Sequence, residues 1–286
     1  MDVISHASFA ELHRSDARQS PEHAGRAQVL LERFSDFVEG RPATRAEIEL
    51  VHAPAYVEAI RQIDGACWLD ADTYATPDTW EAALLAAGCA IEAAERGGVA
   101  LVRPPGHHAL ESCAMGFCIF GNTAIAARHA QRELGYRRVA VVDFDVHHGN
   151  GTEELFRHDP SILTVSLHQW PFWPGSGGPG SSSEGIVNVP LGAGSGDDVY
   201  LAAFAEVVEP SVRAFDPDLV VVAMGLDAHC DDPLAEMEVT ADGFRELARR
   251  CAALGPRLAA VLEGGYNLDT LPGLVEAVLD GFESES

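Results

Sequence analysis

The sequence predicts an α/β fold in which a central, mostly parallel sheet is covered by helices on both faces. Two observations predict it. First, five short runs of apolar residues rich in valine, leucine and alanine read as strands buried on both faces. Second, amphipathic helical patterns separate these runs, and such alternation is typical of a parallel sheet. The five runs are residues 99–103, 139–145, 162–168, 218–225 and 258–265.

The helical patterns have recognisable starts. Thr79, Asn122 and Thr240 stand where a helix pattern begins, and their side-chain oxygens can accept hydrogen bonds from the free N–H groups of a first turn. The patterns cover residues 79–97, 122–134, 197–215, 240–254 and 270–282.

The length of the chain allows one large domain or two small ones, since it has 286 residues of which 47% are hydrophobic. The Gly/Ser-rich stretch at 175–185 is the nearest thing to a linker. Strand-like runs flank it closely, however, and it therefore reads as a surface loop. We expect a single domain over residues 1–286.

Charge restricts the classes of partner. With 19 basic and 44 acidic residues the formal charge is −25, which repels phosphate backbones and argues against direct binding of nucleic acid. A cationic small molecule or a basic peptide is compatible with this charge, although solubility alone also explains it.

The cysteines and the apolar runs bear on location. Six cysteines include no C-x-x-C pair, so neither a zinc ribbon nor a redox motif is indicated. No signal peptide and no membrane-spanning apolar run is recognisable, and we expect reduced thiols in a cytoplasmic protein. An oligomer is compatible with the sequence.

Polar residues follow every predicted strand. The stretches are "RPPGHH", "DFDVHHGNG", "SLHQWPFWPG", "GLDAHCDDP" and "EGGYN". Because the carboxyl ends of parallel strands meet at one edge of a sheet, where ligands bind in open α/β folds, these groups should converge on one site.

The pattern D-x-H at Asp145 and His147 indicates a metal site. Residues i and i+2 of an extended segment face the same side, so a carboxylate and an imidazole can hold one ion together. Asp227, from another strand end, would complete three ligands and leave positions open for water and substrate, the pattern of a catalytic metal and commonly of zinc. An isolated Asp at a strand end is more often a turn former.

Two further stretches offer catalytic groups. His107 and His108 follow the rigid "RPPG" segment, and tandem imidazoles beside a metal could act as a general base and an electrostatic partner. Tyr266 lies on a glycine-rich turn, where its hydroxyl could donate to an oxyanion. Simple packing of Tyr266 against its loop is the alternative.

The combination of motifs resembles the zinc-dependent histone deacetylase superfamily, which includes bacterial deacetylase-like amidohydrolases and acetylpolyamine amidohydrolases. Six motifs carry the resemblance in order between about residues 98 and 268: "RPPGHH", "GFCIF", "VDFDVHHGNGTEELF", "TVSLHQWPFWPGSG", "GLDAHCDDPL" and "LEGGYN". Weaker matches at 20–26 and 51–60 extend it over most of the chain. The resemblance implies an arginase/deacetylase-like fold and hydrolysis of an acetylated amine to acetate.

The resemblance also implies roles for individual residues. Asp145, His147 and Asp227 would bind one zinc ion. His108 would be the general base and acid, with His107 as an electrostatic partner, and Tyr266 would polarise the amide carbonyl. Asp143 and Asn150 would orient the two imidazoles.

The resemblance further implies a substrate channel and a structural cation. Gly116, Phe117 and Trp173 match the channel walls, Leu234 stands at the position of a gatekeeper, and Asp72 would lie at the rim. A K⁺ ion would be held by Asp143, Ser166 and Leu167 together with backbone oxygens of Asp145 and His147. A second cation site would involve Phe156.

The chain departs from the family pattern at a few positions. Gly121 replaces one asparagine of "GFCxFN", Leu226 replaces a common phenylalanine, and Trp173 replaces the usual Phe or Tyr, which would reshape the channel mouth. We expect a local change at Gly121 and a packing exchange at Leu226. The chain is also short for the superfamily, without a long insertion that would cap the channel.

Substrate choice stays open between two classes. The apolar Leu234, where polyamine-specialised enzymes carry an acidic residue, favours acetyl-lysine peptides or a broad range of acetylated amines, whereas the charge of −25 favours cationic polyamines. A binuclear manganese ureohydrolase would need more metal-facing aspartates and histidines. A catalytically silent binding module would lack a ligand or Tyr266, and the sequence retains all of them.

Overall fold

Eight parallel strands form the central sheet of the computed structural model, which describes residues 1–14 and 20–284. A separate two-stranded antiparallel hairpin lies outside this sheet. In chain order the strands are β1 (Val3–Ser5), β2 (Val38–Glu39), β3 (Cys67–Trp68), β4 (Tyr74–Ala75), β5 (Val99–Ala100), β6 (Val139–Asp143), β7 (Ile162–Gln169), β8 (Ile186–Leu191), β9 (Leu219–Met224) and β10 (Leu258–Leu262).

The helices lie between the strands, as expected for parallel connections. They are α1 (Gly25–Arg33), α2 (Arg45–Ile48), α3 (Pro54–Arg61), α4 (Thr79–Arg96), α5 (Asn122–Glu133), α6 (Asn150–Phe156), α7 (Asp197–Ala203), α8 (Glu209–Phe215), α9 (Ala241–Ala252) and α10 (Leu271–Glu283). A π-helical turn, Phe204–Val208, joins α7 to α8. A short 3₁₀ helix covers Ala7–Ala10.

The order of the strands across the sheet is β2-β1-β5-β10-β9-β6-β7-β8, and every neighbouring pair is parallel. The five strands expected from the sequence are β5, β10, β9, β6 and β7, which are adjacent. The predicted fold class, a single α/β domain with helices on both faces of a parallel sheet, is confirmed. The sheet is wholly rather than mostly parallel.

Alternate residues of one strand pack into different hydrophobic clusters, which explains why the strands are apolar throughout. Val139 and Val141 of β6 contact a cluster with α4 and α5, whereas Ala140 and Val142 contact a cluster with α9 and α10. Both faces of the sheet are therefore buried, and no polar face is available on the central strands.

The structure corrects several boundaries. β6 ends at Asp143 rather than 145, because the chain turns there and the Asp145 N–H donates to Asp143 Oδ1 at 3.0 Å. No prediction was made from the sequence for β1, β2, the β3–β4 hairpin, α1, α2, α3 and α6. Most of these are only two to four residues long, too short to show a period.

Residues 175–185 connect β7 to β8 within the sheet, in agreement with a loop rather than a linker. The predicted helix at 197–215 is present, although its middle turn is π-helical. Within the described residues, no helix is both long and apolar enough to span a membrane.

Candidate active site at the carboxyl edge of the sheet

The loops that follow β5, β6, β7, β9 and β10 meet around one cavity of about 360 Å³. Its lining includes seven residues singled out in the sequence, namely His108, Gly116, Phe117, His147, Trp173, Leu234 and Tyr266, and also Asp72. It further includes Phe172 and Trp68, which the sequence analysis did not single out.

A group of three potential metal ligands lies at the floor of this cavity. The ligand atoms of Asp145, His147 and Asp227 lie within 4.8 Å of one another. His147 Nδ1 is 3.1 Å from Asp145 Oδ1 and 3.1 Å from Asp227 Oδ2. Two carboxylate oxygens thus converge on one imidazole nitrogen, the arrangement that D-x-H and a second aspartate predict.

Main-chain donors hold the two carboxylates in place. Gly264 N–H donates to Asp145 Oδ2 at 2.8 Å, and Val146 N–H donates to Asp227 Oδ1 at 2.9 Å. Gly264 must lack a side chain, because a Cβ there would lie 2.1 Å from Asp227 Oδ2 and 2.5 Å from Asp145 Oδ2. The close approach of the two carboxylates therefore requires the first glycine of "EGG".

The electrostatics of this group favour a cation. Burial lowers the pKa of His147, but its hydrogen bonds to Asp145 and Asp227 outweigh burial and raise the pKa to about 10. Burial also raises the pKa of Asp227, with the neighbouring charge of Asp145 adding to it. Two buried carboxylates and one imidazole are a donor set that zinc accepts, with space for further ligands on the cavity side.

The tandem histidines lie beside the three donors, each with its own partner. His107 Nδ1 is 3.0 Å from Asp143 Oδ2, and His108 Nδ1 is 2.8 Å from Asn150 Oδ1. The two rings are 3.8 Å apart between centroids. Because an amide oxygen only accepts hydrogen bonds, Nδ1 of His108 carries the hydrogen and Nε2 keeps a free lone pair.

The two imidazoles differ in protonation and in position. Burial lowers the pKa of His107, but Asp145 and Asp143 outweigh it and raise the pKa to about 10, so this ring is charged. Burial and the positive charges of His107 and His147 hold the pKa of His108 well below its usual range. Of these two imidazoles, His108 lines the cavity and His107 does not.

Tyr266 lines the same cavity as His108. Its N–H donates to Asp232 Oδ2 at 2.7 Å, and its ring lies edge-on to Phe117 with centroids 5.8 Å apart. The guanidinium of Arg26 stands over its ring at 4.9 Å. Burial raises the pKa of the Tyr266 hydroxyl well above its usual range, so the hydroxyl remains a hydrogen-bond donor.

Aromatic rings and a strained turn shape the channel. Gly116 and Phe117 both have positive φ, at 56° and 69°, and their N–H groups donate to Asp70 and Thr73 beside the β3–β4 hairpin. Trp173 lies edge-on to His108 at 4.6 Å. A Cβ at Gly116 would lie 2.4 Å from the Trp173 ring, so the glycine allows this close approach.

The residues expected to hold K⁺ lie next to the site. Ser166 Oγ is 2.9 Å from His168 Nδ1, and a small cavity of about 10 Å³ touches both Ser166 and Asp143. The Leu167 side chain is buried in the hydrophobic core, and Phe156 closes α6 with a buried ring.

Two of the three replaced family positions, Gly121 and Leu226, lie away from the channel mouth, where Trp173 is found. Gly121 N–H donates to His52 Nε2 at 2.8 Å just before α5. Leu226 is fully buried in the hydrophobic cluster that α9 and α10 form with the sheet, as expected for a packing exchange.

Several residues around the site were not assigned a role from the sequence. Glu263 and Asp232 lie within quoted motifs, but an acidic residue beside a metal ligand does not by itself indicate which atom it holds. Arg26 donates to the carbonyl oxygens of Gly265 and Glu263 at 2.8 and 2.5 Å. Only the tertiary structure brings that helix, α1, against the Tyr266 loop.

Comparisons with known proteins find relatives that share the sequence and the fold of this chain. A model of the histone deacetylase domain matches residues 14–282. Histone deacetylase 10, chloroplastic, of Oryza sativa subsp. japonica is 40% identical over 92% of this chain, which spans 65% of that protein. A probable deacetylase of Methanothermobacter thermautotrophicus is 38% identical over 99% of this chain and 91% of its own length.

A further relative and a solved structure complete the comparison. Polyamine deacetylase HDAC10 of Homo sapiens is 41% identical over 81% of this chain, which spans 39% of it. The crystal structure of the HDA15 HD domain superposes with a TM-score of 0.92 at 34% identity, covering 98% of this chain and 88% of that one. The matched domain, the relatives and the shared fold together show that this chain belongs to the histone deacetylase superfamily.

Proposed function

We propose that this chain is a zinc-dependent deacetylase, a hydrolase that removes acetyl groups from amines such as acetyl-lysine and releases acetate. The observation that carries the proposal is that three potential metal ligands, the neutral imidazole of His108 and the protonated hydroxyl of Tyr266 meet at one cavity. We further propose that residues 1–286 act as one catalytic domain.

Each side chain has a task that its surroundings fit. When bound at Asp145, His147 and Asp227, zinc supplies Lewis acidity, which polarises a carbonyl and lowers the pKa of water. His108 accepts the proton of the attacking water at Nε2, since Asn150 holds Nδ1. The same imidazole then passes a proton to the departing amine.

Tyr266 and His107 stabilise or oppose charge at neighbouring groups during the reaction. The Tyr266 hydroxyl donates a hydrogen bond to the carbonyl oxygen as negative charge develops there. His107, held by Asp143, supplies a fixed positive charge behind His108 and opposes premature protonation of that ring. Phe117 and Trp173 exclude water from the linear part of the substrate.

A structural K⁺ ion is part of the proposal. Asp143, Ser166 and Leu167 would hold it with neighbouring backbone oxygens. The Ser166 hydroxyl can donate to His168 Nδ1 and still offer lone pairs to a cation. Burial raises the pKa of Asp143, and a nearby cation would offset that cost.

Substrate choice is proposed as broad, with acetyl-lysine accepted. The half-buried, apolar Leu234 lines the cavity and offers no charge to a distant ammonium group. An acetylpolyamine is the second candidate, because Asp72 also lines the cavity and a human relative is named polyamine deacetylase. We propose no direct contact with nucleic acid, no membrane association and a cytoplasmic location, with self-association left to measurement.

The test is release of acetate by the zinc-loaded chain from acetyl-lysine peptides, acetylputrescine and acetylspermidine, with Tyr266→Phe as the blank. Turnover that exceeds the blank on any of the three substrates supports a deacetylase, and the ranking identifies the amine. A zinc-loaded chain that equals the blank on all three contradicts the proposal for acetyl groups.

A further inference from the structure

Glu263 connects three parts of the structure around the site, although it does not line the cavity. It follows β10 directly and is fully buried. Its Oε2 accepts hydrogen bonds from the N–H groups of Gly106, at 2.6 Å, and His107, at 3.1 Å. Its Oε1 accepts from the Thr123 hydroxyl at 2.8 Å. One side chain thus connects the end of β10 with α5 and with the segment that carries the histidines.

The two N–H groups belong to consecutive residues, and this fixes the segment before the catalytic base. When both point at one oxygen, the peptide plane between Gly106 and His107 has a single orientation. His107 is then directed to Asp143 and His108 to Asn150. From the other side, Asn122 Nδ2 donates to Pro104 O at 3.0 Å.

We propose that Glu263 is a positioning residue for the tandem histidines, and that it acts as a hydrogen-bond acceptor rather than as a negative charge. The proposal rests on the proposed function only where turnover is measured, because the hydrogen bonds exist independently of the reaction.

The partners of Glu263 distinguish an acceptor from a charge. All three donors are neutral, and in the described part of the chain no Arg, Lys or His side chain hydrogen-bonds to its carboxylate. Burial raises its pKa to about 7 and outweighs the nearby charge of His107, which lowers it, so the protonated form is accessible at neutral pH. A protonated Oε1 can donate to Thr123 while Oε2 still accepts both N–H groups.

Glu22 shows what a buried carboxylate that uses its charge looks like. Arg103 donates to both of its oxygens, at 2.8 and 2.9 Å. Burial raises the pKa of Glu22, but Arg103 outweighs it and lowers the pKa to about 2. The two glutamates are equally buried and differ in the charge of their donors.

Two variants of the full, zinc-loaded chain separate the roles. Glu263→Gln keeps the length and an acceptor oxygen but loses the charge, whereas Glu263→Asp keeps the charge but is too short to reach both N–H groups. We expect Glu263→Gln to keep kcat within about threefold with an unchanged pH profile, and Glu263→Asp to lose about 10- to 100-fold in kcat, the usual range for supporting residues. KM should be unchanged in both.

Amide exchange provides a readout that needs no turnover. The Gly106 and His107 amides should exchange slowly in the wild type and in Glu263→Gln, and faster in Glu263→Asp. An inactive wild type with this exchange pattern would refute the proposed function but not the role of Glu263. Metal content and melting temperature confirm that each variant is folded.

Three results would overturn the proposal: a loss of kcat in Glu263→Gln, wild-type kcat in Glu263→Asp, or equal exchange in both variants. If Glu263→Asp does not fold, Thr123→Val replaces it, with Thr123→Ser as its matched control. Loss of the hydroxyl should then lower kcat and the serine should restore it, and an unchanged kcat in Thr123→Val would overturn the proposal.

Discussion

The floor of the cavity and its rim are built by different forces. At the floor, Asp145 and Asp227 are almost inaccessible and each accepts hydrogen bonds from main-chain N–H groups. At the rim, Trp68 is 40% exposed and Trp173 is 38% exposed, and both are in contact with other aromatic rings. Hydrogen bonds fix atoms to within tenths of an ångström, whereas ring contacts tolerate a change of side chain.

The floor and the rim should therefore control different properties of the enzyme. A residue of the floor should control whether the reaction occurs, and a residue of the rim should control which amine enters. Substitutions at the floor should therefore give large losses on every substrate. Substitutions at the rim should change the ratio between substrates.

The largest effect is expected for Asp227→Ala. Removing a carboxylate leaves two donors, and zinc affinity should fall by more than the roughly 10- to 100-fold that loss of a supporting residue costs. Activity should disappear on every substrate. Metal analysis of the purified variant is the measurement.

Asp72→Ala is the matched control, since Asp72 is an exposed carboxylate of the rim. It should retain one zinc per chain. One zinc per chain in Asp227→Ala would show that Asp227 is not a ligand. The floor carboxylate Asp227 and the rim carboxylate Asp72 would then not differ in metal binding.

The second effect is expected for Tyr266→Phe, which removes one hydrogen-bond donor from the cavity lining and leaves the metal ligands in place. Loss of an oxyanion donor typically costs about 10²- to 10³-fold in kcat. Zinc content and the melting temperature should be unchanged. Tyr136→Phe, near the opposite edge of the sheet, is the control and should retain wild-type turnover. Equal turnover in the two variants would exclude Tyr266 from the chemistry.

The sequence predicted the floor better than the rim. The five central strands and the alignment of Asp145, His147 and Asp227 follow from apolar runs that end in polar residues, because parallel strands bring their carboxyl ends together. Trp68 could not be assigned in this way. It lies on a two-residue strand of a hairpin with no readable period, and its position depends on tertiary packing.

The role of Glu263 was also out of reach of the sequence. Glu263 is part of a motif, but its partners Gly106 and Thr123 are more than 100 residues away in the sequence. Different roles for His107 and His108 were expected only from the family resemblance, because the sequence pattern HH is the same for both and their difference depends on burial and on neighbouring charges.

The third effect concerns stability and involves His52, which connects the segment around Leu110 with the start of α5. His52 Nδ1 donates to Leu110 O at 3.0 Å and Nε2 accepts from Gly121 N–H, so the ring must be neutral. Burial lowers its pKa from 6.5 to about 4. Between pH 6.5 and 4 the His52 side chain binds more protons in the unfolded chain than in the folded one. The free energy of unfolding should therefore fall by about 3 kcal/mol as the pH drops from above 6.5 to 4.

Urea unfolding between pH 7.5 and 4 measures this dependence. His52→Gln should be less stable at pH 7.5 and should lose less stability on acidification. His13 and His168 also have pKa values lowered to about 4 by burial, so the difference between wild type and variant isolates the contribution of His52. Parallel curves for the two proteins would show that His52 does not titrate in this window.

The smallest effect is expected at the rim, for Leu234→Glu. Leu234 lines the cavity and is half-buried, so a carboxylate there would meet the distal ammonium of a polyamine in water rather than in a dry pocket. An ion pair of this kind contributes at most about 1 kcal/mol, or roughly fivefold. The ratio of kcat/KM for acetylspermidine over an acetyl-lysine peptide should rise by that factor, with kcat nearly constant. Leu234→Gln introduces a side chain of the same shape as glutamate but without the charge, and it should leave the ratio unchanged. A loss of kcat on both substrates in Leu234→Glu would mean that the rim also controls the chemistry, and the division between floor and rim would fail at this residue.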